Sequence, residues 1–216
     1  MSKRTFLRIS ADAVVIFVIV SLTGAALVSA ALMPNETARR TKCMSQLREI
    51  GMAFIMWEND HQGFPPAVDA ARAAQEPARA RFAWLLKEGY LQNARILLCP
   101  SARKDTAAPD FPKDLKNAKV SELVPGGRNC SYGLDPDKTL EAQAGCALIS
   151  DKPQEQGRDQ DSNVSSDNHG QEGQNVFYRD GHVKWSRTVR SDSGEDENIF
   201  AGDPKNNSPI DANIDP

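Results

Sequence analysis

The sequence predicts an α+β protein in which a long N-terminal helix, first membrane-spanning and then stalk, packs on a small antiparallel sheet. Three observations predict it. Ala13 to Met33 carries no charged residue, and about 20 apolar residues at 1.5 Å rise each are what a helix needs to cross roughly 30 Å of hydrocarbon. Beyond it, Cys43, Leu47, Ile50, Phe54 and Trp57 recur at alternating steps of four and three, which draws one apolar stripe along a helix. Further on, Asn175-Val176-Phe177-Tyr178 and Val183-Lys184-Trp185 flank Asp180-Gly181. That is the strongest short-range hairpin signal, since a type I′ turn needs the positive φ that Asp and Gly tolerate.

Taken in order, Lys3, Arg4 and Arg8 place residues 1–12 in the cytoplasm by the positive-inside tendency. Residues 13–33 form the transmembrane helix, and Pro34 breaks or kinks the rod where it leaves the bilayer. Asn35 caps an amphipathic stalk helix over 34–62, which Gly63 and Pro65-Pro66 end. Residues 67–81 read as helical turns with a solvated face, Pro77 in a first turn. Phe82, Trp84, Leu85, Leu86 and Leu91 supply core, and Gly89 stops the helix. Ile96 to Cys99 reads as a short buried extended segment closed by Pro100, and 102–129 as surface loop. Two short strands follow at 131–134 and 147–150. Residues 151–174, with Val164 the one strongly apolar side chain, form a long exposed loop. The head therefore spans 63–190, and 191–216 is an acidic, loop-like tail with isolated anchors at Ile199-Phe200. A competing reading of the N-terminus is a cleavable secretory signal ending at Val28-Ser29-Ala30. Both readings export the head.

Composition excludes some functions. With 26 Lys and Arg against 29 Asp and Glu, and the cations dispersed, there is no electrostatic footprint for nucleic acid. The four cysteines, Cys43, Cys99, Cys130 and Cys146, show no CxxC spacing, which argues against a zinc knuckle or a thioredoxin-like centre. Cys130 and Cys146 precede the two short strands at equivalent positions, so a Cys130–Cys146 disulfide is the candidate bridge in an oxidising compartment; four buried free thiols are the even alternative. There is no Gly-rich phosphate loop, HExxH or Gly-x-Ser-x-Gly, and no nucleophile with a positioned base. Of the three histidines, His61 ends a helix, while His169 and His182 could gather with Asp180 around a metal. A turn aspartate bonding its own backbone beside solvent-facing histidines is the favoured reading. No catalytic, cofactor or metal-ligating residue is therefore assigned. Asp159, Asp161, Asp167, Asp192, Glu195, Asp196 and Glu197 leave calcium as a weak option, without EF-hand spacing.

Cys43-Met44-Ser45-Gln46-Leu47-Arg48-Glu49-Ile50-Gly51, then Asn59-Asp60 and Gly63-Phe64-Pro65, resembles the segment after the membrane helix of type II secretion pseudopilin-like proteins. Leu98-Cys99-Pro100-Ser101 resembles the central Cys-Pro-Ser of the subfamily named for a prepilin-type processing-associated H-x9-DG domain. Asn168-His169, Gly173 to Tyr178 and Asp180-Gly181-His182-Val183-Lys184-Trp185 look like its closing motif. Two departures stand out. Ten residues, not nine, separate His169 from Asp180, and no Gly-Phe-Thr-Leu-x-Glu processing site precedes the apolar run, Asp12 being the nearest counterpart of its glutamate. The resemblance implies a pilin-like fold and a non-catalytic structural subunit of a secretion or surface-assembly apparatus. It is expected in the inner membrane as a single-pass protein with its head extracytoplasmic. Its partners would be membrane lipid and other pseudopilin-like subunits or secretion-machinery proteins. The motif residues carried over are Cys43, Gly51, Pro65, Cys99, Pro100, His169, Asp180, Gly181 and His182. The alternative from another class is a secreted or anchored binding module that uses the 151–174 loop.

Overall fold

A computed structural model of the chain describes residues 13–22, 36–66, 77–102, 112–123, 130–135, 145–152, 165–189 and 199. Residues 13–22 are helical, and their apolar side chains are exposed, Phe17 at 73%. Among the described residues no helix is long and apolar enough to cross a membrane. The rest of the expected 13–33 span lies outside them, as do residues 1–12 and all of the 191–216 tail except Ile199.

The other described residues are α+β: three helices and a four-stranded antiparallel sheet. Helix α1 (Glu36–His61) buries Cys43, Leu47, Ile50, Phe54 and Trp57, the stripe that its sequence spacing predicts. It ends at Gln62, which takes a left-handed φ of 56° while its N–H bonds the Glu58 carbonyl at 2.8 Å. This is the left-handed helix stop, set one residue before the expected Gly63. Helix α2 (Pro77–Lys87) stops at a left-handed Gly89 and buries Phe82, Leu85 and Leu86. Phe54 meets Phe64 and Phe82 edge to face, and Trp57 packs near Trp84 and Tyr90. Edge-to-face geometry suits the ring quadrupoles.

Three loop expectations are corrected. Of the 151–174 stretch expected to be an exposed loop, Asp151, Ser165, Ser166, Asn168, His169 and Gln174 are buried. Ala94–Leu97 is a 3-10 turn, not an extended segment, because the Asn93 side chain accepts the Arg95 N–H at 2.9 Å and caps it. Extended backbone begins only at Leu98. Within 102–129, the short helix α3 (Val120–Leu123) buries Leu123 completely, so that stretch contributes core as well as surface.

The sheet is a meander, β1 (Tyr132–Leu134), β2 (Ala147–Asp151), β3 (Gln174–Tyr178) and β4 (Val183–Ser186), neighbours pairing in chain order. Side chains alternate between faces along a strand, and every residue of β2 and β3 is buried, so both faces are covered. One carries Phe177 and Ile149 in the core shared with α1 and α2. The other carries Val176 and Tyr178, joined by Ala147 across an irregularity in β2 between Ala147 and Ile149, and is closed by Val189 and Ile199. The β3–β4 hairpin forms where Asp180-Gly181 predicts it, with a different turn. Of its residues only Gly181 has positive φ, 87°, and the Tyr178 carbonyl accepts its N–H at 2.9 Å. With the Tyr178 N–H bonded to the His182 carbonyl at 3.0 Å, this is a three-residue loop closed by a left-handed glycine, not a type I′ turn.

Helix α1 lies on this sheet through contacts spread along one face. Arg40 stacks on Trp185 with 4.3 Å to the ring centroid and pairs with Glu172. Glu58 pairs with Arg179 at 3.5 Å, both largely buried. Between them Gly51 admits the Phe177 ring so closely that a Cβ would lie 2.4 Å from it.

Candidate functional site

Where α1 crosses the sheet, four separate segments deliver polar side chains to one buried point. Cys43 comes from α1, held inward by the same stripe as Leu47 and Ile50. Cys99 follows the Asn93-capped turn. Asp151 is the last residue of β2. His169 ends a 3-10 turn (Asp167–His169) whose cap, Ser166, accepts the Asn168 N–H and whose left-handed Gly170 turns the chain back toward β3. One ligand atom from each of Cys43, Cys99, Asp151 and His169 lies within 4.8 Å of all the others, and all four residues are buried.

The Asp151 carboxylate organises the group. Its Oδ1 accepts from Cys43 Sγ at 3.1 Å and from Asn168 Nδ2 at 2.9 Å. Its Oδ2 accepts the Asn175 backbone N–H at 2.6 Å and side-chain amide at 3.2 Å, with His169 Nε2 3.3 Å away. His169 Nε2 also lies 3.5 Å from Cys99 Sγ, and Trp185 stands edge-on to its ring. Cys43 Sγ is 3.3 Å from the Tyr132 hydroxyl, which donates to Gln46. The Ser101 N–H reaches Cys99 Sγ at 3.5 Å.

These contacts shift the titrations. Burial pushes the Cys43 thiol well up, helped by its hydrogen bond with Cys99 and the charge of Asp151. The hydrogen bond from Cys43 draws Cys99 down to about 7, against the cost of burial and with His169 assisting. Burial opposes a charge on His169, but its hydrogen bonds to Asp151 and Cys99 and their charges outweigh it and push it up to about 10. Burial, then the neighbouring Cys43, Cys99 and Asp151, raises the Tyr132 phenol.

A raised folded value contributes stability below the unfolded value and loses it as pH rises through the folded one, and a lowered value does the reverse. His169, Cys43 and Tyr132 therefore all lose their contribution toward alkaline pH. Cys99 gains between about 7 and 9, which offsets His169 across that window. In chelator, the urea midpoint should stay nearly level from pH 7 to about 9 and then fall by pH 10.5, less so in Tyr132→Phe. A midpoint that rises into that alkaline range would refute this electrostatic picture.

Chemically, the cluster lacks the layout of a nucleophilic triad. A triad places the acid on one imidazole nitrogen and the nucleophile on the other, whereas here Asp151 and Cys99 both face Nε2. With two thiols, a carboxylate and an imidazole sharing one point, the residues present could hold a divalent ion.

The motif residues divide. Cys43, Cys99 and His169 converge here, Gly51 seats Phe177, and Pro65 is buried. Asp180 and His182 do not join them: Asp180 Oδ1 accepts the His182 N–H at 3.1 Å and pairs with its ring at an exposed turn. The favoured reading, a turn aspartate bonding its own backbone beside solvent-facing histidines, fits Asp180 and His182 and is corrected for His169, which is buried. The Cys130–Cys146 bridge is corrected as well. All four cysteines are free, Cys130 donating to the Tyr132 carbonyl and Cys146 to that of Ala147. The β1–β2 register is antiparallel, Tyr132 opposite Asp151, so Cys130 and Cys146 lie toward opposite ends of the pair. They stand about seven positions, roughly 23 Å, apart along it, far beyond the ~7 Å Cα limit of a disulfide. Of the calcium candidates, Asp167 is described, in the first turn before His169; the other six lie outside the described residues. Asp151 carries no mark in the sequence beyond ending a strand that is apolar but for Ser150.

Residues 34–88 match the model of a family described as a protein of unknown function (DUF1559). That family is associated with pseudopilin-like proteins. The matched stretch holds Cys43, Gly51 and Pro65, and so α1 and α2. No curated protein and no solved structure matches the chain.

Proposed function

We propose that this protein is a membrane-anchored, pseudopilin-like structural subunit of a type II secretion or related surface-assembly apparatus, without catalysis of its own. The observation that carries the reading is helix α1, inside the stretch 34–88 that matches a family associated with pseudopilin-like proteins, laid on a four-stranded antiparallel meander that lies beyond that stretch. The exposed apolar side chains of 13–22 supply the second support: a helix apolar all round must be buried in protein or in lipid. In this reading 13–33 sits in the inner membrane, the head lies outside the cytoplasm, and lateral contacts go to like subunits or secretion-machinery proteins. The cluster supports a non-catalytic role in that its groups are buried and Asp151 and Cys99 both face one imidazole nitrogen, so the Cys99–His169 contact has no carboxylate aligned behind the ring.

Carbonate-washed membranes should retain the chain, and its intact mass should state how it is held. An unchanged mass means a fixed anchor, and loss of a short leader with an added methyl means a processed pilin. Loss of about 30 residues means a signal peptide and overturns the anchor. A full-length chain in the soluble fraction would overturn the whole reading.

A further inference from the structure

We propose that Cys43, Cys99, Asp151 and His169 bind one divalent transition-metal ion, zinc, as a closed tetrahedral site that pins α1 and the Cys99 segment to the sheet. The donor set is the first argument. Two thiolates, one imidazole and one carboxylate suit zinc, whereas calcium wants six or more oxygens and finds one carboxylate here.

Distance is the second argument. Zinc bonds of about 2.3 Å to sulfur and 2.0–2.2 Å to nitrogen and oxygen give tetrahedral edges of about 3.3–3.8 Å. Cys99 Sγ to His169 Nε2 is 3.5 Å and His169 Nε2 to Asp151 Oδ2 is 3.3 Å, two such edges, while Cys43 Sγ lies 3.1 Å from the other carboxylate oxygen, Oδ1. No remaining edge exceeds 4.8 Å, so side-chain contraction of about an ångström closes the tetrahedron.

The surroundings are the third argument. Metal ligands are aimed by outer hydrogen bonds, and Asp151, Cys99 and Cys43 have them. Asn168 and Asn175 fix the carboxylate, the Ser101 N–H meets Cys99 Sγ, and the Tyr132 hydroxyl meets Cys43 Sγ. A direct Cys43–Cys99 disulfide would use two of the four groups and leave the convergence of Asp151 and His169 unexplained. Binding displaces the protons on Cys43, Cys99 and His169 Nε2 to solvent and oxidises nothing. The assignment concerns the head alone, so metal content and membrane fractionation test separate claims.

The experiment uses the full chain in detergent, purified without a metal-affinity tag. Elemental analysis should find close to one zinc per chain. Cobalt(II) added to chelator-treated protein should give the visible bands of a tetrahedral ion and thiolate charge transfer, both abolished by zinc. A chelator should lower the melting midpoint by roughly 10 °C or more. Cys99→Ser and Asp151→Asn should each lose the cobalt bands. Should both variants misfold, the wild-type cobalt spectrum still decides. Four alkylatable thiols with no bound metal and no cobalt bands would overturn the proposal. So would a Cys43–Cys99 disulfide in the purified chain, or cobalt bands unchanged in Cys99→Ser. Iron at the same residues would overturn the assignment to zinc.

Discussion

Asp151→Leu should destabilise the chelator-treated protein by about 3–5 kcal/mol, the cost of removing one partner from a buried charged pair. The residue is fully buried and receives Cys43, Asn168, the Asn175 backbone and the Asn175 amide, with His169 beside it. Leucine fills the space and accepts nothing. The Asn175 backbone N–H then loses its acceptor, one hydrogen of the Asn168 amide loses its own while the other stays on the Ser131 carbonyl, and the imidazole loses its carboxylate, at about 1–3 kcal/mol for each unmet group. A domain has only about 5–15 kcal/mol in total, so much of the variant should be unfolded without denaturant. Asp151→Asn should fall between wild type and leucine, because its oxygen still accepts while its NH₂ faces other donors. Urea unfolding followed by tryptophan fluorescence, with Trp185 close to the site, reads the order. A leucine variant as stable as wild type would mean that these hydrogen bonds contribute nothing net.

That sensitivity explains why the fold was more legible in the sequence than the site. Helix α1 shows itself because five apolar side chains at 3.6-residue spacing all lie on one buried stripe. The hairpin shows itself because Asp180-Gly181 is a local signal, though the choice of turn depends on how β3 and β4 meet and is not local. The 3-10 turn at 94–97 was obscured because Ile96 and Leu97 are as apolar as a buried strand, and the deciding contact is one side-chain cap from Asn93. The cluster depends on pairs 70, 89 and 108 residues apart in the chain, which nothing in a single sequence connects. Cys43, Cys99 and His169 are readable one by one as motif residues, while Asp151 is not. A register for β1 and β2, with Tyr132 opposite Asp151, would have exposed it: a strand buried along its whole length that ends in a carboxylate demands partners.

Phe177→Ala should cost about 3–5 kcal/mol through lost burial and the cavity left behind, and the size of its coupling to Gly51 tests how α1 seats on the sheet. Phe177 is fully buried in the core shared by helix and sheet. A Cβ built on Gly51 would meet its Cε2 and Cζ at 2.4 Å and its Cδ2 at 2.5 Å, so the helix backbone rests directly on the ring. Gly51→Val by itself should overpack and cost about 1–3 kcal/mol, despite the modest gain in helix propensity over glycine. In the double variant the valine methyls occupy space that the ring has vacated, so the two costs should not add. The combined loss should fall below their sum by at least about 1 kcal/mol, within the usual range for residues in contact. Strict additivity would mean that Gly51 and Phe177 do not touch, and that α1 lies on the sheet by some other face.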